Sequence, residues 1–217
     1  MKKTIYFIRG APYKYLIKGE NLYRSFNKVA QRKFDPGLTN DSRKYFFSNV
    51  TREILSSKLI FHSPNKRSRK TALFVNKVVN ELKLLSEIDY AMENFVSENE
   101  FFVNNEPDVN SARKNFVSAL INNNLNESYK HVIERVEYLM SICINSKEET
   151  ILFISHGFFL KVIEAYIKNP KIKNIPKLLI NYFNGENETF KFCEGFKIDY
   201  QDNKFTFKSY IRNKCDI

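Results

Sequence analysis

The chain has 217 residues, of which 43% are hydrophobic, and this length and composition fit one domain with a substantial core. Its 35 basic and 24 acidic residues give a formal net charge of +11, which favours an anionic ligand or partner but would equally result from a lysine-rich, solvated surface. No apolar run is long enough to span a membrane, and the apolar stretch at residues 4–8 is too short for a signal peptide, so we expect a cytoplasmic protein.

Cysteine and histidine residues are too few and too scattered to indicate a metal centre. The three cysteines, Cys143, Cys193 and Cys215, show no metal-like spacing and are odd in number, so we interpret them as reduced thiols. The chain has only three histidines, and none of them is clustered with a cysteine. We therefore predict no metal and no cofactor.

The first predicted element is a short apolar strand at residues 4–8, which runs directly into Arg9 and Gly10. Open α/β folds bind their ligands at the carboxyl ends of the strands. Arg9 would lie at this edge, although a single arginine could also be no more than a surface charge.

The next part of the chain alternates helices and strands. In chain order we predict a helix near residues 22–32, a turn at 35–37, a helix at about 42–57, a strand at Leu59–His62 and a helix from 63 to about 84. Arg67 lies in the first turn of the last helix, where the helix N-terminus adds positive potential. An anion bound beside Arg67 would be attracted by the guanidinium charge and by the helix N-terminus.

Residues 85–110 are acidic and irregular. Loops on a rigid scaffold often carry specificity, so we predict a lid or substrate-selecting insertion at about residues 85–125. Glu87 is the candidate acid of this segment, whereas most of its other carboxylates would be solvated. Amphipathic helices are predicted at residues 109–122 and 127–145.

A third buried strand at residues 151–154 ends at His156, and a helix follows to about residue 168. A histidine between a buried strand and a helix N-terminus is well placed to contact an anion. For the rest of the chain we predict a short helix at residues 175–183 and edge strands at 189–193, 196–200 and 205–210.

The candidate side chains together suit one kind of ligand. Arg9 and Arg67 can each grip phosphate oxygens in a bidentate manner. His156 can donate a hydrogen bond to a further oxygen, and Glu87 can protonate a leaving oxygen. This combination indicates a phosphate monoester.

Five motifs follow one another along nearly the whole chain. They are Arg9-Gly10-Ala11-Pro12, Asp35-Pro36-x-Leu38-Thr39, Ser63-Pro64-x-x-Arg67-x-x-x-Thr71-Ala72, Leu85-x-Glu87-Ile88 and Ser155-His156-Gly157. In kind and in order they resemble the motifs of the histidine phosphatase superfamily, the phosphoglycerate-mutase-like proteins. The resemblance implies a three-layer α/β/α sandwich with a mostly parallel sheet and an antiparallel edge strand. It also implies phosphate ligands at Arg9, Arg67 and His156, and an acid at Glu87.

The departure from this pattern is at Gly10. In the family the residue after the first arginine is the histidine that accepts the phosphoryl group, and glycine has no side chain that could do so. As the resemblance implies it, the phosphohistidine mechanism cannot run in this chain as written.

Three hypotheses follow from Gly10. The chain could be a natural pseudoenzyme that binds a phosphate ester as a sensor, scaffold or regulator. It could catalyse a reaction without phosphohistidine, for example by direct attack of a water molecule beside Gly10. It could also be an engineered knockout of a phosphatase or mutase that naturally has histidine here.

The partners are open at this stage. The predicted pocket would accept a phosphorylated small molecule or a phosphoprotein, and we expect no membrane partner. A basic protein that binds nucleic acid or an acidic partner through its surface is a separate alternative, although no nucleic-acid-binding motif accompanies the charge. The sequence leaves the oligomeric state open.

Overall fold

The computed structural model describes residues 2–14, 16–183 and 190–213. The strands of these residues are β1 (Lys3–Arg9), β2 (Leu59–His62), β3 (Asn80–Glu81), β4 (Phe102–Val103), β5 (Glu106–Pro107), β6 (Thr150–Ser155), β7 (Gly195–Gln201) and β8 (Lys204–Ile211). The α-helices are α1 (Leu22–Ala30), α2 (Ser42–Asn49), α3 (Arg52–Leu55), α4 (Lys66–Val75), α5 (Glu98–Phe101), α6 (Val109–Ile121), α7 (Tyr129–Asn145) and α8 (Gly157–Lys168). Short 3₁₀ segments lie at Lys83–Leu85, Met92–Asn94, Pro170–Lys173 and Pro176–Tyr182.

Six strands form the main sheet in the order β3-β2-β6-β1-β7-β8. Strands β3, β2, β6 and β1 run parallel to one another. Strand β7 runs antiparallel to β1, and β8 runs antiparallel to β7. The predicted α/β class, with a mostly parallel sheet and an antiparallel edge, is confirmed. Because β1, β2 and β6 are parallel, their carboxyl ends meet at one edge of the sheet.

Helices cover both faces of this sheet. Successive side chains of a strand point to opposite faces, and in β1 Ile5 and Phe7 pack with the core beneath α7 and α8. Tyr6 and Ile8 pack with the other core, which contains Phe46 of α2. Because helices cover both faces of the sheet, the strands β1, β2 and β6 are nearly continuous apolar runs in the sequence.

Two predicted helices end earlier than expected. The predicted helix at 42–57 is divided into α2 and α3, because Val50 is extended and the Thr51 side chain accepts a hydrogen bond from the backbone N–H of Ile54 to begin α3. The helix predicted to reach residue 84 ends at Val75. Asn76 is extended there and its side chain accepts from the N–H of Val78 at 3.0 Å, which releases the chain to form β3 beside β2.

The predicted edge strand at residues 189–193 is wrong for the residues that the structure describes; residue 189 lies outside them. Residues 190–193 form a turn in which Cys193 adopts a left-handed conformation with φ of 62°. Strand β7 then begins at Gly195, where a Cβ atom would lie 1.8 Å from the carbonyl oxygen of Phe7. Only glycine allows β7 to approach β1 this closely.

None of the described helices combines the length and the apolar character needed to cross a bilayer. Cys143 and Cys193 are buried and free, and Cys215 lies outside the described residues.

Candidate functional site

A cavity of about 220 Å³ opens at the sheet edge where β1, β2 and β6 end. Its lining includes all five residues that the sequence predicted for the site: Arg9, Gly10, Arg67, Glu87 and His156. Arg9 ends β1, Arg67 lies in the first turn of α4 after β2, and His156 lies between β6 and α8. The topology therefore brings together motifs that are up to 147 residues apart in the sequence (from residue 9 to residue 156).

The two arginines are held by a pair of aromatic rings. The guanidinium carbon of Arg67 lies 4.5 Å from the centre of the Tyr13 ring, and that of Arg9 lies 4.5 Å from the centre of the Phe192 ring. The two rings pack edge to face with their centres 5.2 Å apart. Arg9 also donates a hydrogen bond to the carbonyl oxygen of Phe190 at 2.7 Å. Both cations are thus oriented before any ligand binds.

Asp35 orients Arg67 further. One carboxylate oxygen accepts from an Arg67 guanidinium nitrogen at 2.9 Å, and the other accepts from the backbone N–H of Lys66 at 2.7 Å. Arg67 is only 5% exposed, so its guanidinium has few alternative orientations. The sequence indicated a turn and one of the five motifs at Asp35, but neither shows that its side chain reaches the first turn of α4.

His156 is buried beside the arginines. Its Nε2 lies 2.8 Å from the Oγ atom of Ser63, which follows β2. Burial lowers the pKa of His156 well below its ordinary value, and the nearby Arg67 and Arg9 lower the pKa further. The imidazole is therefore neutral at pH 7 in the absence of an anion. A bound anion would favour its protonated form.

The Glu87 carboxylate faces the first turn of α8. It accepts from the backbone N–H of Phe159 at 2.9 Å, of Ile88 at 3.1 Å and of Phe158 at 3.3 Å. Burial raises the pKa of Glu87 above its ordinary value, although these three N–H groups and Arg9 favour the charged form. A raised pKa suits a carboxyl group that donates a proton near neutral pH.

The loop that carries Glu87 is fixed from two sides. The Ser155 hydroxyl, at the end of β6, donates to the carbonyl oxygen of Leu85 at 2.7 Å. Arg135 of α7 donates to the carbonyl oxygens of Leu84 and Ser86, and its NH1 donates to both oxygens of Glu127 at 2.7 Å. Glu87 therefore belongs to the rigid part of the site.

Gly10 leaves space in the cavity wall. A Cβ atom built at this position would have Thr71 Oγ1 as its nearest neighbour at 3.5 Å, and then Ile154 Cγ2 at 3.9 Å. These are ordinary van der Waals distances, so the backbone at Gly10 would accept a Cβ atom. Thr71 also accepts from the backbone N–H of Ala11 at 3.0 Å and so fixes the turn after β1.

The other lining residues, called the apolar end here, are mostly apolar; the sequence predicted a substrate-selecting segment at 85–125 but not the part of this lining that α1 contributes. The residues of the apolar end come from three separate parts of the chain: Phe26, Val29 and Ala30 of α1, Tyr90 and Val109 of the segment after Glu87, and Phe158 of α8. Arg113 of α6 adds a cation at this end. The α1 residues lay in a region with irregular spacing, which gave no signal for a shared wall.

His62, the last residue of β2, lies outside the cavity lining. It is 2% exposed, and its Nδ1 lies 2.7 Å from the carbonyl oxygen of Ser63. Among the residues that the structure describes, no three His, Cys, Asp or Glu side chains are grouped so that they could hold a metal ion.

The sequence of residues 19–201 matches the family model described as histidine phosphatase superfamily (branch 1). The chain belongs to the histidine phosphatase superfamily. The matched range begins after Arg9 and Gly10, so the first motif is not part of it, although β1 lies at the centre of the sheet that the matched residues form. None of the curated proteins matches the chain.

Solved structures with the same fold span nearly the whole chain. A mycobacterial glucosyl-3-phosphoglycerate phosphatase is 12% identical, with 98% of this chain and 100% of that chain covered and a TM-score of 0.62. A phosphoglycerate mutase from Bacillus anthracis is 12% identical, with coverages of 96% and 92% and a TM-score of 0.59. A mutant phosphoserine phosphatase from Entamoeba histolytica, in complex with phosphoserine, is 16% identical, with coverages of 96% and 96% and a TM-score of 0.56. The phosphoglycerate-mutase-like fold is therefore established.

Proposed function

We propose that the cavity binds the phosphoryl group of a phosphate monoester and that the chain as written has no phosphohistidine nucleophile. The observation that carries this proposal is the convergence of Arg9, Arg67 and His156 on one small cavity at the carboxyl edge of the sheet. Two oriented guanidinium groups match the geometry of phosphate oxygens. The imidazole of His156 supplies a further hydrogen bond.

The position of Gly10 supports the second part of the proposal. Gly10 follows Arg9 directly, lines the cavity and has room for a Cβ atom. In the superfamily pattern this is the position of the nucleophilic histidine. The Entamoeba histolytica structure contains a His-to-Ala mutant in complex with phosphoserine, so a phosphatase of this fold that lacks one histidine can hold a phosphate ester.

In this proposal Glu87 is the acid that protonates the leaving oxygen when transfer occurs. Its raised pKa and its place in the cavity wall support that role. Transfer without histidine would require a water molecule beside Gly10 to attack phosphorus while the bond to the leaving oxygen breaks. The leaving oxygen would take the proton of Glu87, and a proton of the attacking water would return to Glu87, so that the products are the alcohol and hydrogen phosphate. Residues 85–125 would then act as the substrate-selecting segment, because they contribute Glu87, Tyr90, Val109 and Arg113 to the cavity.

The test is phosphate release from a panel of phosphate monoesters by the chain as written and by the Gly10→His variant. We expect the given chain to be silent or very slow and Gly10→His to gain about 10³-fold or more, since loss of a covalent nucleophile commonly costs that much. Gly37→His is the matched control, because Gly37 is exposed and lies outside the cavity lining. A Cβ atom built at Gly37 would have no neighbour within 4 Å.

Two other results would decide against parts of the proposal. Rapid turnover by the given chain, with no gain from Gly10→His, would show that the pocket works without phosphohistidine. Failure of both proteins to bind or release phosphate would reject the phosphate site itself. Addition of Arg67→Ala to Gly10→His should abolish the gained activity, whereas addition of Arg69→Ala, an exposed arginine of the same helix, should not.

A further inference from the structure

The apolar end of the cavity limits the part of the ligand that carries the phosphoryl group. Five apolar side chains and the phenol ring of Tyr90 line this end, and three of the six, Val29, Ala30 and Tyr90, are less than 10% exposed. A polar alcohol such as glycerol would lose its hydration here without gaining hydrogen bonds to the five apolar side chains, and Tyr90 and Arg113 are the polar groups that line this end. An apolar alcohol would gain free energy from the same transfer.

The wall is also aromatic and rigid. Phe158 stacks on Phe116 with the ring centres 4.1 Å apart, and Tyr90 packs edge to face against both rings, at 5.9 Å and 5.3 Å. Phe95 closes the cluster against Tyr90 and Phe116. Because these rings are already fixed by one another, they can pack against a further ring without losing additional conformational freedom.

Size agrees with this chemistry. The cavity holds about 220 Å³, and an apolar cavity of about 150 Å³ is large enough for benzene. The cavity is therefore larger than one that accepts a single aromatic ring, and Arg9 and Arg67 line the same space. The apolar end begins directly beside this site, because Phe158 is only two residues beyond His156.

We infer that the preferred ligand is a monoester of phosphate with an aromatic alcohol, bound with its ring between α1 and the Tyr90–Phe158 wall. This inference rests on the proposed phosphate site and adds the class of the leaving group. Phe26, Val29, Tyr90, Val109 and Phe158 are then the residues that determine specificity.

The test is calorimetric titration of the chain as written with phenyl phosphate, glycerol 2-phosphate and inorganic phosphate. We expect phenyl phosphate to bind at least about tenfold more tightly than either of the others, since burial of one ring is worth more than that factor in transfer free energy. Equal affinities for the three ligands would overturn the inference and leave the phosphate site in place. No binding of any of them would overturn both.

Variants locate the effect at the predicted wall. Val109→Ser should weaken phenyl phosphate about three- to tenfold and leave inorganic phosphate unchanged, because Val109 faces the apolar end and is 42% exposed. Val103→Ser is the matched control, since Val103 is 52% exposed and outside the cavity lining. Phe26→Ser should act in the same direction as Val109→Ser and more strongly. Loss of inorganic phosphate binding in Val109→Ser, or no change for phenyl phosphate in either wall variant, would contradict the assignment of this wall.

A final pair of ligands distinguishes the source of the ring. A free aryl phosphate and a phosphotyrosine side chain present the same chemistry. A short phosphotyrosine peptide that binds as tightly as phenyl phosphate would identify a protein-derived ester. A peptide that binds at least about tenfold more weakly would identify a small molecule.

Discussion

The two ends of the cavity are built in different ways. At the basic end each side chain is attached to the end of a central strand or to the first turn of a helix, and each has a defined partner: Tyr13 for Arg67, Phe192 for Arg9 and Ser63 for His156. At the apolar end the side chains come from α1, α8 and the segment between Leu85 and α6. Apart from packing, these parts of the chain are joined by hydrogen bonds from the backbone N–H of Met92 to the Asn27 side chain at 2.9 Å and from the Tyr23 hydroxyl to the carbonyl oxygen of Val96 at 2.8 Å.

This difference separates chemistry from selection. The basic end depends on strand ends, whose positions the core fixes, so the geometry of the charged groups is rigid. The apolar end depends on α1 and on a segment of short helices and a two-stranded hairpin, and its residues can change without moving the sheet. The basic end would then determine that the ligand is a phosphate ester, and the apolar end would determine which one.

The largest effect should come from loss of a cation at the basic end. Arg67→Ala should weaken binding of inorganic phosphate by about 30-fold or more, because a buried, charge-assisted contact is lost. Titration calorimetry measures this change. Arg69→Ala removes the same charge from an exposed position of α4, and a similar loss in that variant would mean that net charge rather than the site attracts phosphate.

A second prediction concerns pH and the basic end alone. The pKa of His156 is lower in the folded protein than the ordinary value of about 6.5, so below that pH the unfolded chain takes up a proton that the folded chain does not. The free energy of unfolding should therefore fall as the pH falls below about 6.5, by at most about 1.4 kcal/mol per pH unit for this group. Denaturant unfolding at a series of pH values measures the slope.

His156→Gln should make the free energy of unfolding depend less steeply on pH below about 6.5, independently of its effect on the stability at pH 7. His131→Gln is the control, since His131 is exposed on α7. An unchanged slope in His156→Gln would mean that another group causes the acid sensitivity.

The smallest effect should come from the cation at the apolar end. Arg113→Ala should weaken inorganic phosphate by no more than about fivefold, because partly exposed charges contribute up to about 1 kcal/mol. Its neighbour Lys114 carries the same charge on α6 without lining the cavity, so Lys114→Ala gives the baseline in the same calorimetric assay. A loss of phosphate affinity in Arg113→Ala as large as the loss in Arg67→Ala would mean that both ends of the cavity contribute equally to phosphate binding.

Sequence patterns predicted the basic end far better than the apolar end. Apolar runs located β1, β2 and β6, and the residues that follow these strands include Arg9, Gly10, Arg67 and His156. Glu87 was indicated by its motif, although its contacts with the N-terminus of α8 were not. A residue that ends a strand is placed by local sequence, so its neighbourhood is predictable.

The remaining features depend on contacts between distant residues. Tyr13 and Phe192 pack together, but nothing in either local sequence indicates the other. Asp35 reads as part of a turn and of a motif, and Val29 reads as part of a short helix in a region of irregular spacing. The ends of α2 and α4 were missed because side-chain hydrogen bonds of Thr51 and Asn76 outweighed the apolar periodicity.

The most direct test of a phosphate site is the titration of His156 by NMR with and without inorganic phosphate. The account predicts that phosphate shifts the imidazole resonances of His156 and raises its pKa, because a dianion beside the ring favours the protonated form, while the exposed His131 is unaffected. In Arg67→Ala the phosphate-dependent shift should disappear at the same phosphate concentration. Resonances of His156 that ignore phosphate, or that respond equally in Arg67→Ala, would contradict the account.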